Sequence, residues 1–250
     1  MARTALRGRL TWQLADLVDR IDETPHVRSL VLNVPDWPGH SPGQHVDVRL
    51  TAPDGYQAER SYSIATPADG HRITITVERL EDGEVSPYLV DELEIGDRLE
   101  LRGPIGGWFV WKPDLDGSLF LAGGGSGLAP LMAMVRARIG TGSNIPVRLL
   151  VSSRSQEEVI YRAELEAISK EQLGIEVFQT LTRSQPPGWT GYRRRVDREL
   201  LADTAWPATD KPRCYVCGPT GFVEAVASTL VDLGHDPQGI KTERFGPTGG

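Results

Sequence analysis

"LFLAGGGSGLAPLMAMV", Leu119 to Val135, is where the chain changes its period. "LFLAG" reads as a buried strand and "LAPLMAMV" opens a helix, with Gly123, Gly124, Gly125 and Gly127 between them. Glycines let the backbone turn sharply and come close to a ligand, and the helix that follows faces it with its N-terminus. Pro130 is tolerated in a first helical turn, where its missing N–H would be unpaired anyway. The spacing departs from G-x-G-x-x-G, because Leu128 stands where the third glycine belongs. With no ligand this is simply a glycine-rich strand-to-helix turn. Four glycines at the carboxyl end of the first strand of a parallel sheet favour a nucleotide.

Downstream of the loop, strands and helices alternate: "VRLLVSS", "IYRAELEAISKEQ", "IEVFQTLT", "VDRELLA", "CYVCG", "GFVEAVASTLVDLG" and "IKTERF". That order predicts a parallel sheet flanked by helices. Upstream, up to about Lys112, the segments are short and alternating: "LTWQLADLV", "VRSLVLNV", "QHVDVRL", "RSYSIA", "RITITVERL" and "DRLELRGP". Turn clusters such as "PDWPGHSPG" and "PADGH" separate them, which predicts a small antiparallel barrel or sandwich. One helix, roughly Ser86 to Leu93, interrupts it. The boundary is expected near Asp114 to Gly117, dividing an antiparallel β-barrel domain (1–114) from an α/β domain (115–250).

The 250 residues are 39% hydrophobic and 24% charged, a globular composition. A formal net charge of −7 argues against a general nucleic-acid binder. The basic start "MARTALRGRL" leads into no apolar h-region, and no run approaches a membrane span, so no leader and no membrane partner are expected and the chain reads as cytoplasmic. Cys214 and Cys217 form a lone C-x-x-C, too few thiolates for structural zinc or an iron–sulfur cluster, so no metal is expected. In the strand "RCYVCGP" they point to opposite faces, which argues against a disulfide.

Two features call for a ligand. The second strand of the parallel sheet ends in Ser152, Ser153 and Arg154, where dinucleotide folds place an acid for ribose hydroxyls or an arginine for a 2′-phosphate. Arg183 in "LTRSQ" and Arg193 to Arg195 in "TGYRRRV" follow at equivalent loop positions, and three basic points at strand ends of an acidic protein suit phosphate. In the first half, "ERSYSIATP", Glu59 to Pro67, places a guanidinium and two hydroxyls beside a tyrosine in a half-buried strand. A strand that only filled a core would need neither.

A barrel carrying R-x-Y-S ahead of a glycine-rich nucleotide domain resembles the ferredoxin–NADP reductase family of flavoproteins, over nearly the whole chain. "RSYS" resembles the family's flavin motif. "GEVSPYL", with Gly83, Val85 and Ser86, resembles the G-x-x-S turn that receives the FAD pyrophosphate. "GPIGGWF" is similar to the loop closing the flavin domain, and "GGGSGLAP", with Ser126, to the nicotinamide-side loop, although Ala129 replaces the usual threonine. "CGP", Cys217 to Pro219 with Gly218 between, and "ERFG", Glu243 to Gly246, also match.

The resemblance implies an FAD-dependent oxidoreductase that takes hydride from NADPH, in preference to NADH, and passes electrons to a separate protein such as a ferredoxin. Arg60 would pair with FAD phosphate, with Ser61 beside it, Tyr62 would lie against the isoalloxazine, and Ser63 would offer its hydroxyl near flavin N5. Cys217 would stand where nicotinamide C4 arrives, Phe245 would cover the flavin face, and Glu243 would tune charge or pass protons. Many relatives carry a fused [2Fe–2S] domain, for which this sequence has neither the length nor enough cysteines, so that carrier is expected on another polypeptide. A reductase of free flavin, quinone or ferric chelate, or a non-catalytic nucleotide-binding module, remains open.

Overall fold

A computed structural model of the chain describes residues 10–171 and 173–246. The basic stretch 1–9 and Gln172, read above as the end of a helix, lie outside the described residues.

The first sheet holds β1 (Gln13–Thr24), β2 (Val27–Asn33), β3 (His45–Thr51), β4 (Gln57–Ser63), β5 (Arg72–Glu78) and β6 (Arg98–Ile105), in the order β4-β3-β6-β1-β2-β5. Neighbours pair antiparallel, and a bridge from Ile64 to Ile75 joins the two edge strands, curling the sheet toward a barrel. The alternation that predicted strands is what fills it: Val46 and Val48 of β3 point inward with Leu30, Leu32, Ile73 and Ile75, and His45 and Asp47 point the other way. Between β5 and β6 the expected helix begins at Ser86 and widens into a π-turn over Tyr88–Glu92, closed by the Leu93 N–H on the Tyr88 carbonyl at 3.0 Å.

The second sheet holds β7 (Leu119–Gly124), β8 (Val147–Ser153), β9 (Ile175–Leu181), β10 (Arg213–Pro219) and β11 (Ile240–Phe245), all parallel, in the order β11-β10-β7-β8-β9. Helices α1 (Leu128–Gly140), α2 (Arg162–Lys170), α3 (Arg198–Thr204) and α4 (Thr220–Asp232) flank it. The chain builds outward from β7 on one side, then crosses to build from its other side with β10. The switch between β7 and β10 opens a crevice at their carboxyl ends, the place where open α/β sheets bind ligands.

Helix α1 carries no single apolar stripe, because Leu128 to Val135 is buried without a break. Its core cluster draws Leu121, Leu149 and Val151 from the sheet, Val27 and Ala65 from the barrel, and Phe109 and Trp111 from the segment between them. One core therefore spans both sheets. Among the described residues no helix is long and apolar enough to cross a membrane.

Candidate active site

β4 divides "RSYS" between its two faces. Arg60 and Tyr62 stand opposite Val48 and Val46 of β3, so they share the inward side, and Tyr62 packs half-buried against the barrel core. Burial pushes the Tyr62 phenol well above its ordinary pKa, so it stays neutral. Ser61 and Ser63 take the other face, where the Ser61 hydroxyl donates to Asp47 Oδ1 at 2.6 Å and Ser63 lies opposite His45.

Arg60 is half-exposed, and its guanidinium donates to Glu84 Oε2 at 2.7 Å and to the Glu59 carbonyl at 2.7 Å. The Tyr56 hydroxyl donates to Glu84 Oε1 at 2.5 Å. That hydrogen bond first, and the one from Arg60 next, hold the Glu84 carboxyl below the usual range. Glu84 lies inside the "GEVS" turn, so this pair brings Arg60 against the turn expected to work with it. Gly83 is needed there, because a Cβ would come within 2.8 Å of Ser86 Oγ, and that oxygen accepts the Leu80 N–H at 3.0 Å. Val85 is buried in the barrel core and anchors the turn from below.

Across the cleft, Gly125 takes a φ of +55°, and Gly127 packs so tightly on the Cys217 backbone that a Cβ would run into its carbonyl. Gly123 pairs in register with Cys217, and Gly124 packs beneath the Phe222 ring. The Ser126 hydroxyl donates to Glu78 Oε2 on β5 at 2.6 Å, tying the loop to the barrel. Cys217 is in turn the register partner of Glu243, Gly218 of Arg244 and Pro219 of Phe245. Phe245 is half-buried against the core that contains Cys217.

Glu243 points back at the barrel. Its Oε1 is 3.9 Å from His45 Nδ1, and its Oε2 is buried with no hydrogen-bond partner among the described residues. Burial raises the Glu243 pKa to about 7 and lowers that of His45, with Asp47 pulling His45 weakly the other way. The Cys217 thiol is pushed well up by burial and then by Glu243, so it stands there neutral. Ser63, His45, Glu243 and Cys217 thus form one continuous set across the two sheets. His45, Glu78, Glu84 and Tyr56 escaped the sequence reading. For His45 the available signal was its place in "GQHVDVRL", where it faces away from the valines.

The basic points sit at the far end of the same sheet edge. The Arg154 carbonyl accepts the N–H groups of Arg183 at 2.9 Å and Ser184 at 3.2 Å, which sets Arg154 and Arg183 side by side at the ends of β8 and β9. Both are exposed, and among the described residues neither has a carboxylate partner. Ser153 is buried just before them. Arg193 is exposed and donates to the Trp189 carbonyl at 2.7 Å, whereas Arg194 of the same run is held by Glu199 at 2.7 Å and Asp197 at 3.4 Å.

The likeness to known proteins follows the same two-part division. A family model described as an oxidoreductase FAD-binding domain matches residues 15–110, and one described as an oxidoreductase NAD-binding domain matches 121–228. The chain is 33% identical over 210 residues to the glycine betaine monooxygenase reductase subunit of Chromohalobacter salexigens, covering 83% of this chain and 56% of that protein. It thus spans about half the length of that relative. The FAD/NAD-binding domain of nitric oxide dioxygenase from Vibrio cholerae superposes with a TM-score of 0.84 at 25% identity, covering 94% of this chain and 99% of that one. A ferredoxin NADP+ reductase from Neisseria gonorrhoeae, solved with FAD and NADP, superposes with a TM-score of 0.81 at 21% identity, over 93% and 98% of the two chains.

Proposed function

This chain belongs to the ferredoxin–NADP reductase family of two-domain flavoproteins, and from that premise we propose that it transfers hydride from NADPH, in preference to NADH, to FAD and delivers the electrons to a separate redox protein such as a ferredoxin. The observation that carries this reading is the meeting of Ser63 and His45 from the barrel with Cys217 and Glu243 from the parallel sheet, at the switch point between β7 and β10.

The residues suit the two cofactors. The orphaned Glu243 Oε2 marks a polar wall without a partner among the described residues, and Gly83 and Gly127 let the two flanking turns pack closely on Ser86 and Cys217. Bound FAD supplies the hydride acceptor and the one-electron chemistry that no side chain here has. In this reading Arg60 exchanges Glu84 for the FAD diphosphate, a charge-assisted contact its planar fork makes well, and the turn Gly83, Val85, Ser86 receives the same group. Tyr62 lies against the flavin ring and Ser63 directs its hydroxyl to it, with Ser61 fixing the strand through Asp47. Gly123 to Gly127 and Cys217 to Pro219 seat the nicotinamide half. Ser153, Arg154, Arg183 and Arg193 hold the adenosine end, where two arginines without a carboxylate partner among the described residues fit a 2′-phosphate. Phe245 would cover the flavin face at the place where the nicotinamide would stack. His45 and Glu243 face each other at 3.9 Å, and because burial raises the carboxyl's pKa to about 7 and lowers that of the imidazole, Glu243 is the group of the two that carries a proton close to the reacting atoms.

The reductase-subunit name of the Chromohalobacter relative supports delivery to a separate protein. The test is anaerobic mixing of the FAD-loaded protein with NADPH and with NADH, followed by a panel of ferredoxins, free flavin, quinone and ferric chelate. Fast bleaching by NADPH and fast reoxidation by a ferredoxin are expected. Preference for NADH overturns the nucleotide assignment, and reoxidation by the small acceptors alone overturns the protein partner. A colourless protein without FAD affinity overturns the enzyme.

A further inference from the structure

We propose that Arg136 and Tyr161 are positioning residues that set the separation of the nicotinamide loop from the flavin strand; this rests on the hydride-transfer reading above. Helix α1 leaves the glycine loop at Leu128 and reaches Arg136 eight residues later, about 12 Å along its axis. There the guanidinium splits. Nη1 donates to the Ala65 carbonyl at 2.6 Å, and Nε and Nη2 donate to the two Glu164 oxygens at 2.9 and 2.5 Å. Ala65 follows β4 immediately after Ile64 and is itself fixed by its N–H on the Thr74 carbonyl at 2.7 Å. One bond therefore links the helix that carries the glycine loop to the strand that carries Arg60, Tyr62 and Ser63.

Tyr161 secures that bond from beneath. Its ring centre lies 4.6 Å from Arg136 Cζ, and its backbone takes a φ of +56°, a conformation a bulky side chain seldom adopts. Two anchors hold it there: its N–H donates to Glu23 Oε2 at 3.0 Å, and its hydroxyl is hydrogen-bonded to Thr76 Oγ1. Ser29 closes the ring, bonded to Thr76 at 2.9 Å and to Glu23 Oε1 at 2.7 Å. Ser29, Thr76 and Tyr161 are at most 5% exposed. The ring thus joins β1, β2 and β5 of the barrel to the residue that immediately precedes α2. The Ser29–Thr76–Tyr161 side of the ring is buried and the Glu23 side part-buried, so a slide breaks several bonds at once, the buried ones where water cannot readily replace them. None of these groups touches the candidate site. Their effect is carried by geometry, and a donor misplaced by about 1 Å can cost on the order of 100-fold in rate.

Tyr161→Phe removes one hydroxyl without changing shape, and Arg136→Lys keeps the charge while losing the fork. Each FAD-loaded variant is compared with wild type for FAD content, NADP+ dissociation constant, charge-transfer absorbance with NADP+ and the stopped-flow rate of flavin bleaching by NADPH. The expected result is FAD content and NADP+ affinity within twofold, with bleaching slowed roughly 10- to 100-fold and the charge-transfer band weakened. Wild-type bleaching and an unchanged band beside a lowered melting temperature overturn the proposal and leave the ring as structural. If Tyr161→Phe does not fold, Arg136→Lys decides alone by the same readings. Wild-type protein that neither nucleotide bleaches refutes the functional reading itself, a result distinct from wild-type-like variants.

Discussion

Glu243→Gln tests the candidate site without using turnover. The carboxyl has one oxygen buried without a partner among the described residues and the other 3.9 Å from His45 Nδ1, and burial lifts its pKa from 4.5 to about 7. Because the folded protein holds this proton more tightly than the unfolded chain does, the group's stabilisation is complete below about pH 4.5 and is lost as pH rises through 7. At 1.36 kcal/mol per unit the loss is on the order of 3 kcal/mol, and the side chain's 29% exposure draws it down toward about 2. His45 acts in the opposite sense, since its lowered pKa gives stability above its ordinary value that is lost on acidification. Absolute melting curves therefore mix the two, and only the difference between variant and wild type isolates Glu243. Glutamine cannot ionise, so the variant should gain on wild type between pH 5 and pH 8, by roughly 4–8 °C in melting temperature at about 2–4 °C per kcal/mol. Melts of the apoprotein across that window measure it. A difference between the two proteins that does not change with pH would falsify the raised pKa, and with it the proton assigned to Glu243.

Three further outcomes follow from the same geometry. Arg60→Ala should weaken FAD binding by roughly tenfold or more, about 1.5–3 kcal/mol for a lost charge-assisted contact, while the apoprotein melt barely moves because the side chain is half-exposed; flavin fluorescence titration checks it, and unchanged affinity removes Arg60 from the site. Arg154→Ala should raise KM for NADPH and leave NADH kinetics untouched, and equal loss with both nucleotides refutes the 2′-phosphate assignment. Phe245→Ala should tighten the NADP+ complex and lower kcat with KM, the mark of a lost ground-state penalty; a large fall in melting temperature with unaltered nucleotide affinity would mean the ring only packs.

The two halves of the fold were legible because each satisfies its own period. His45 to Thr51 alternates inward and outward as a half-buried strand must, and the unbroken apolar run of β7 matches a strand covered on both faces. Cys214 and Cys217 fall into separate cores on opposite sides of β10, as their spacing in a strand requires. Other features depend on contacts that no local pattern contains. The helix at Ser86 widens into a π-turn because of one bond from Leu93 back to Tyr88. Helix α1 lost its amphipathic signal because the barrel covers the side that water would otherwise wet. Glu84 reads in sequence as one more acid in "EDGEVS", and only the fold puts it on Arg60. In "YRRRV" the three arginines look alike, yet Arg194 is taken up by Glu199 and Asp197 while Arg193 and Arg195 stay exposed.

The placement of these residues separates two tolerances. Ser63, His45, Cys217 and Glu243 all lie in strands, and each position is fixed by register with a neighbouring strand. Arg154, Arg183 and Arg193 lie beyond strand ends, and Glu84 lies in a turn. Phosphate groups on a flexible cofactor tail can follow a loop that moves, because a charged fork keeps its attraction over a range of positions. Hydride transfer has no such latitude, since its rate falls steeply with misplacement of the donor. A site divided in this way demands rigidity chiefly where chemistry would occur. The ring of Glu23, Ser29, Thr76 and Tyr161 supplies rigidity from a distance, tying the barrel to the residue before α2, with the Arg136–Ala65 bond above it.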